Sequence, residues 1–122
     1  MKRSSSLVML LTVAALAMIA CEDVVVKDIS DREVVLLSPQ DSATFNSASY
    51  TFWWNPVESA DGYQLLIVSP DLQQPAFVAL DTTITKDKFT IDLANGQYQW
   101  CVRAVNSAYT TAYTCRVVTI KK

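Results

Sequence analysis

The stretch GQYQWCVRAVN, Gly96 to Asn106, decides the fold. Tyr98, Trp100, Val102 and Ala104 fall on one side of an extended chain, and Gln97, Gln99, Cys101 and Arg103 on the other. Successive side chains of a β-strand point to opposite faces, so this alternation describes a strand with one buried face. Working outward, short apolar runs bounded by turn residues recur on both sides. They are Glu33–Ser38, Tyr50–Asn55, Tyr63–Ser69, Ala76–Ile84, Lys88–Leu93 and Ala112–Ile120, and with the opening stretch they make seven strands. Pro39, Pro56 and Pro70 stop three of them, since proline cannot donate to a ladder. Gln40–Ser49 reads as a polar connection with Phe45 tucked beneath it. No sustained 3.6-residue apolar period follows residue 20, so the reading is all-β, a sandwich at the spacing typical of that class.

The alternation assigns a core of Leu36, Phe52, Trp54, Tyr63, Leu65, Ile67, Phe89, Ile91, Tyr98, Trp100, Val102 and Ala104. Folding the last hairpin about Ala108 sets Cys101 opposite Cys115, seven residues to either side. Directly opposed strand residues lie within disulfide reach, and the pair would sit on the outer face of the sheet. Two thiols in a different register are the alternative.

The N-terminus supplies an address. Lys2 and Arg3 precede Leu7–Ala20, an uncharged run of 14 residues. At about 1.5 Å per residue it falls short of a hydrocarbon core of roughly 30 Å, and so reads as an export signal. Met18-Ile19-Ala20-Cys21 resembles the bacterial lipobox. The resemblance implies removal of residues 1–20 and attachment of diacylglycerol to Cys21, which would hold the chain to a membrane. Residues 21–32 then form a lipidated N-terminus and tether, and residues 33–122 the domain. Ordinary cleavage after Ala15-Leu16-Ala17 is the alternative. Three cysteines leave one unpaired in an exported chain, and lipidation accounts for it. Glu22-Asp23 resembles the surface-export signal of Bacteroidetes-type lipoproteins, which implies the outer membrane and its outer face, with the periplasmic face of that membrane as the alternative.

The body resembles a fibronectin type III-like domain of the immunoglobulin-like group. Ser38-Pro39 with Asp41-Ser42-Ala43, Phe52-x-Trp54-Asn55-Pro56, Ala60-Asp61-Gly62-Tyr63-x-Leu65-x-Ile67 and Leu93-x-x-Gly96-x-Tyr98-x-Trp100 carry the resemblance. It implies a tyrosine corner at Tyr98, its hydroxyl bonding back to the chain near Leu93.

Composition narrows function. Setting aside Lys2 and Arg3 leaves eight Lys and Arg against twelve Asp and Glu, so no basic footprint for nucleic acid exists. Histidine is absent, and with it the commonest general base and metal ligand. Only Gly62 and Gly96 are glycine, too few for a phosphate-cradling loop. Acids such as Asp41, Glu58, Asp61, Asp81, Asp87 and Asp92 are scattered singly, unlike a paired catalytic set or a dense calcium loop. The expectation is a binding module with no enzyme activity, metal or cofactor. The candidate contacts are aromatic: Trp53, facing away from Trp54, and Tyr109 and Tyr113 at the last turn. The expected partner is a protein, with a glycan of a polysaccharide-uptake system as the alternative.

Overall fold

The computed structural model describes residues 25–47 and 49–122; the export signal and Cys21 lie outside them. The strands are β1 (Leu36–Ser38), β2 (Ala43–Phe45), β3 (Tyr50–Trp54), β4 (Gly62–Ser69), β5 (Phe77–Ile84), β6 (Lys88–Ile91), β7 (Gly96–Val105) and β8 (Thr114–Ile120). They form a three-stranded sheet, β1-β3-β6, and a five-stranded sheet, β2-β8-β7-β4-β5. No helix occurs among the described residues. The sequence reading has seven strands. The eighth is β2, three residues inside the polar connection, pairing in parallel with the C-terminal end of β8.

β7 is the centre of the larger sheet because both of its edges are used. It pairs with β4 from Gly62↔Val105 to Val68↔Gln99, and with β8 from Gly96↔Ile120 to Val102↔Thr114. Its inward residues Tyr98, Trp100, Val102 and Ala104 are all buried. They meet Phe52 and Trp54 from β3 and Tyr63, Leu65 and Ile67 from β4. Phe52 packs edge-on to Trp100 at 5.0 Å between ring centroids, and Trp54 edge-on to Tyr63 at 5.7 Å. The turn before β7 is closed as the tyrosine corner requires, with the Tyr98 hydroxyl donating to the Ala94 carbonyl at 2.9 Å. Gly62 is needed where β4 meets β5, since a Cβ there would stand 2.9 Å from the Ile84 carbonyl oxygen.

Three features differ from the alternation reading. Phe89 and Ile91 are only half-buried, because β6 is an edge strand. Cys101 belongs to the outward row yet is fully buried, flanked in register by Leu66 and by its partner Cys115. Ile29, in the stretch assigned to the tether, is also fully buried and joins the core with Val34. Tyr50, Leu93, Val118 and Ile120 complete that core. On β8 the inward position before Val118 belongs to Arg116. Its guanidinium donates to the carbonyls of Leu36 (2.7 Å), Leu37 (3.3 Å) and Pro39 (2.9 Å), tying the two sheets together.

Candidate functional site

The predicted disulfide is formed. Cys101 and Cys115 are Cα partners on β7 and β8, 4.1 Å apart, bonded through sulfur. Beside them, on the same outward face, runs a polar row that crosses the five-stranded sheet. Arg103 lies over the Tyr113 ring, its guanidinium carbon 4.7 Å from the centroid. The same guanidinium donates to Gln64 Oε1 through Nε at 2.8 Å and Nη2 at 2.5 Å. Gln64 Nε2 in turn donates to Asp81 Oδ1 at 2.9 Å. The strands set this order, since Gln64 is the Cα partner of Arg103 on β7, and Asp81 lies on β5 opposite Leu66. Burial pushes the Tyr113 phenol above its ordinary pKa, with the Arg103 charge opposing and the Asp81 charge adding to the shift.

The three candidate aromatics are not brought together. Tyr113 ends the polar row just described. Trp53 stands on the outer face of the other sheet, 46% exposed, opposite Lys88 on β6 and Ser38 on β1. Thr51 and Thr90 share a hydroxyl hydrogen bond of 2.8 Å on that face. Tyr109 is half-buried and packs against the core. Its loop is fixed by Asn106, whose Oδ1 accepts from the amides of Ala108 (3.1 Å) and Tyr109 (2.8 Å). Asn106 Nδ2 donates to the carbonyls of Lys27 (2.8 Å) and Ser59 (3.3 Å), so the N-terminal segment docks at this end. Cys21 lies outside the described residues.

The row of Arg103, Gln64 and Asp81 is not among the candidates drawn from sequence. The only available signal was register: once the third and sixth predicted strands pair, Gln64 and Arg103 share the outward face. A groove of about 450 Å³ opens between the ends of β5 and β6, lined by Thr83, Ile84, Thr85, Lys86, Lys88 and Phe89. It holds neither a carboxylate pair nor a nucleophile–base pair. Among the described residues no three His, Cys, Asp or Glu side chains converge as metal ligands.

No protein-family model matches this chain, and no curated protein matches it in sequence. Solved structures do resemble it. The fibronectin(III)-like modules of CbhA from Clostridium thermocellum share 10% identity over 73% of this chain and 96% of theirs, with a TM-score of 0.52. The FN3tt crystal structure shares 17% identity over 70% and 91%, also at 0.52. A human fibronectin type III domain, from the KIAA0970 protein, shares 14% over 71% and 72%, again at 0.52. Identities this low speak to architecture alone: the body of the chain has the fold of a single fibronectin type III-like β-sandwich.

Proposed function

We propose that this chain is a non-catalytic lipoprotein, anchored in the outer membrane through Cys21 and facing outward, that presents its sandwich to a protein partner. The observation that carries the protein-binding reading is the row Tyr113–Arg103–Gln64–Asp81. Arginine and tyrosine dominate the binding energy of protein interfaces when they are held still. Here the guanidinium is held between an aromatic face and an amide oxygen, on a strand pair joined by a disulfide. Ordering these side chains before a partner arrives removes part of the entropy that binding would otherwise cost. The anchor rests on the lipobox-like Met18-Ile19-Ala20-Cys21 and the odd cysteine count. The outward orientation rests on Glu22-Asp23.

The test is a soluble chain beginning at Asp23, used to retain partners from an envelope extract. A partner retained by this chain and lost, by about ten-fold or more, on Arg103→Ala with Tyr113→Ala supports the reading. Unchanged retention by the double variant, with the fold intact, sinks it. Palmitate labelling of the full chain that survives Cys21→Ser removes the anchor.

A second reading has its own observation. Trp53 is half-exposed on the outer sheet face beside the Thr51–Thr90 hydroxyl pair and Lys88, an arrangement that can stack a sugar ring and bond its hydroxyls. A glycan array bound by the chain and silent for Trp53→Ala would favour it; an array silent for both would end it.

A further inference from the structure

Among the described residues four strands have an open side: β1 and β6 in the smaller sheet, β2 and β5 in the larger. Proteins blunt such edges by keeping them short or by placing lysine on them, because unpaired backbone N–H and C=O groups recruit other strands. β1 and β2 have three residues each, and β6 has four and begins at Lys88. β5 has eight residues, carries neither lysine nor arginine, and has one bulge, at Ala79, beyond its first two residues. Its first two residues are the opposite of protected: Phe77 is 52% and Val78 57% exposed. They lie on different sides of the sheet. Val78 is in register with Val68 and Gln99 on the outer face, while the Phe77 ring stands edge-on to core Tyr98 at 6.2 Å. Apolar surface therefore wraps both sides of the free backbone edge. Leu72, 41% exposed, lies at the same end of the sheet on the β7 side, its amide held by Gln99 Oε1 at 2.7 Å.

Charge adds a second constraint. From Pro70 to Ile84 the chain has two acids and no base. The Asp71 carboxylate caps the Gln74 amide at 2.8 Å. Asp81 accepts one amide hydrogen bond and is exposed, and no cation pairs with it among the described residues. Position adds a third. Lys27 docks at the Asn106 end of β7, whereas Phe77, Val78 and Leu72 lie at the Gln99 end. The apolar edge thus starts at the end remote from the N-terminal segment.

We propose that β5 receives an extended segment of the protein partner as a sixth strand of the larger sheet, apolar where it passes Phe77 and Val78 and basic opposite Asp81. This rests on the protein-partner reading above and specifies its mode. Main-chain hydrogen bonds along the edge supply affinity, and alternate side chains supply choice. The added strand continues the row Tyr113–Arg103–Gln64–Asp81 by one more column. A second copy of this chain fits poorly. Two identical edges close on a two-fold axis by antiparallel pairing, which points their Lys27 ends in opposite directions. Such pairing sets β5 against β5, and from Pro70 to Ile84 a second copy has no base to place opposite Asp81.

The test places benzoylphenylalanine, a photo-crosslinker, at position 78 of the full chain in its own cells, with parallel variants at 44 on β2 and at 113. A single partner crosslinked from 78 and not from 44, reduced about ten-fold or more by Asp81→Lys and by Thr83→Lys, is the expected result. Both substitutions are at exposed positions, and an unchanged melting curve verifies the fold. In the purified complex the β5 amides exchange hydrogen about ten-fold or more slowly, while those of β2 do not change. Crosslinking from 78 without slower β5 exchange overturns strand addition, as does an adduct of twice the chain's own mass. Crosslinking from 113 but not from 78 overturns the edge proposal and leaves the protein-partner reading standing. Absence of adduct from all three positions removes both.

Discussion

Ile29 and Tyr113 show what single residues do in this sandwich. Ile29 is fully buried and belongs to the same core as Trp54 and Tyr63. It was not legible in the sequence because its neighbours, KDIS, show neither the two-residue nor the 3.6-residue period by which a buried face is recognised. Trp100 and Val102, in a ten-residue alternating strand, were legible for the same reason in reverse. Truncating a buried isoleucine removes its transfer free energy and leaves a cavity, so Ile29→Ala should lower unfolding stability by about 2–5 kcal/mol. Urea denaturation checks this; a loss under about 0.5 kcal/mol would mean the segment is only a tether. For Tyr113 the sign of the pH effect follows from burial, which raises its folded pKa. The stability it contributes is whole below the unfolded value of about 10 and is lost as pH rises through the folded value. Tyr113→Phe should therefore flatten the alkaline limb of the stability curve. Arg103→Gln removes the cation that lowers this pKa and should move the phenolate absorbance change to higher pH. A tyrosine titrating at its free value would contradict both.

At the scale of elements, strands with a clear two-residue period were legible, β3 and β4 with the help of a proline stop. β3, β4 and β7 fall within one residue of their expected bounds. β2 was not, because three residues cannot display a period and its pairing depends on where β8 ends. What holds β2 is non-local: the Ser42 amide donates to the Val117 carbonyl at 2.8 Å, and the Val117 amide to Asp41 Oδ1 at 2.8 Å. Asp41, which in sequence is one more scattered acid, thus has a structural task. The outer row of Arg103, Gln64 and Asp81 was hidden likewise, since each residue alone is ordinary surface polarity and only strand order brings them together. The disulfide was legible because hairpin symmetry alone predicts it. It joins residues separated by 14 positions. On the chain-entropy model, closing a loop of that size contributes up to about 3 kcal/mol. Replacing both cysteines by alanine should lower the urea midpoint accordingly, and a reductant should reproduce the shift in the parent protein but not in the variant. Equal midpoints in all four measurements would show that the ladder holds β7 and β8 together without the bond.

For the whole molecule, the two ends of the sandwich are unequal, and the proposed lipid would give that inequality a consequence. The N-terminal segment docks at the end formed by Ser59, Lys27 and Asn106. Lys27 lies six positions after Cys21, a reach of about 20 Å at full extension. β7 has ten residues, so the opposite end lies about 33 Å away along the strand. A lipid on Cys21 would keep the Ser59 end within about 20 Å of the bilayer and let the Leu72–Val78 end stand up to about 33 Å further out. The buried Ile29 fixes the point from which that reach is counted, since the chain leaves a packed position there. A fluorophore placed at position 59 of the lipidated chain in vesicles should be quenched by headgroup-labelled lipid more strongly than one at position 73. Both positions are exposed, so neither label disturbs the core. Equal quenching would mean that the domain tumbles on its anchor; stronger quenching at 73 would mean that the apolar edge of β5 faces the membrane, and would remove it from the reach of a partner beyond the bilayer.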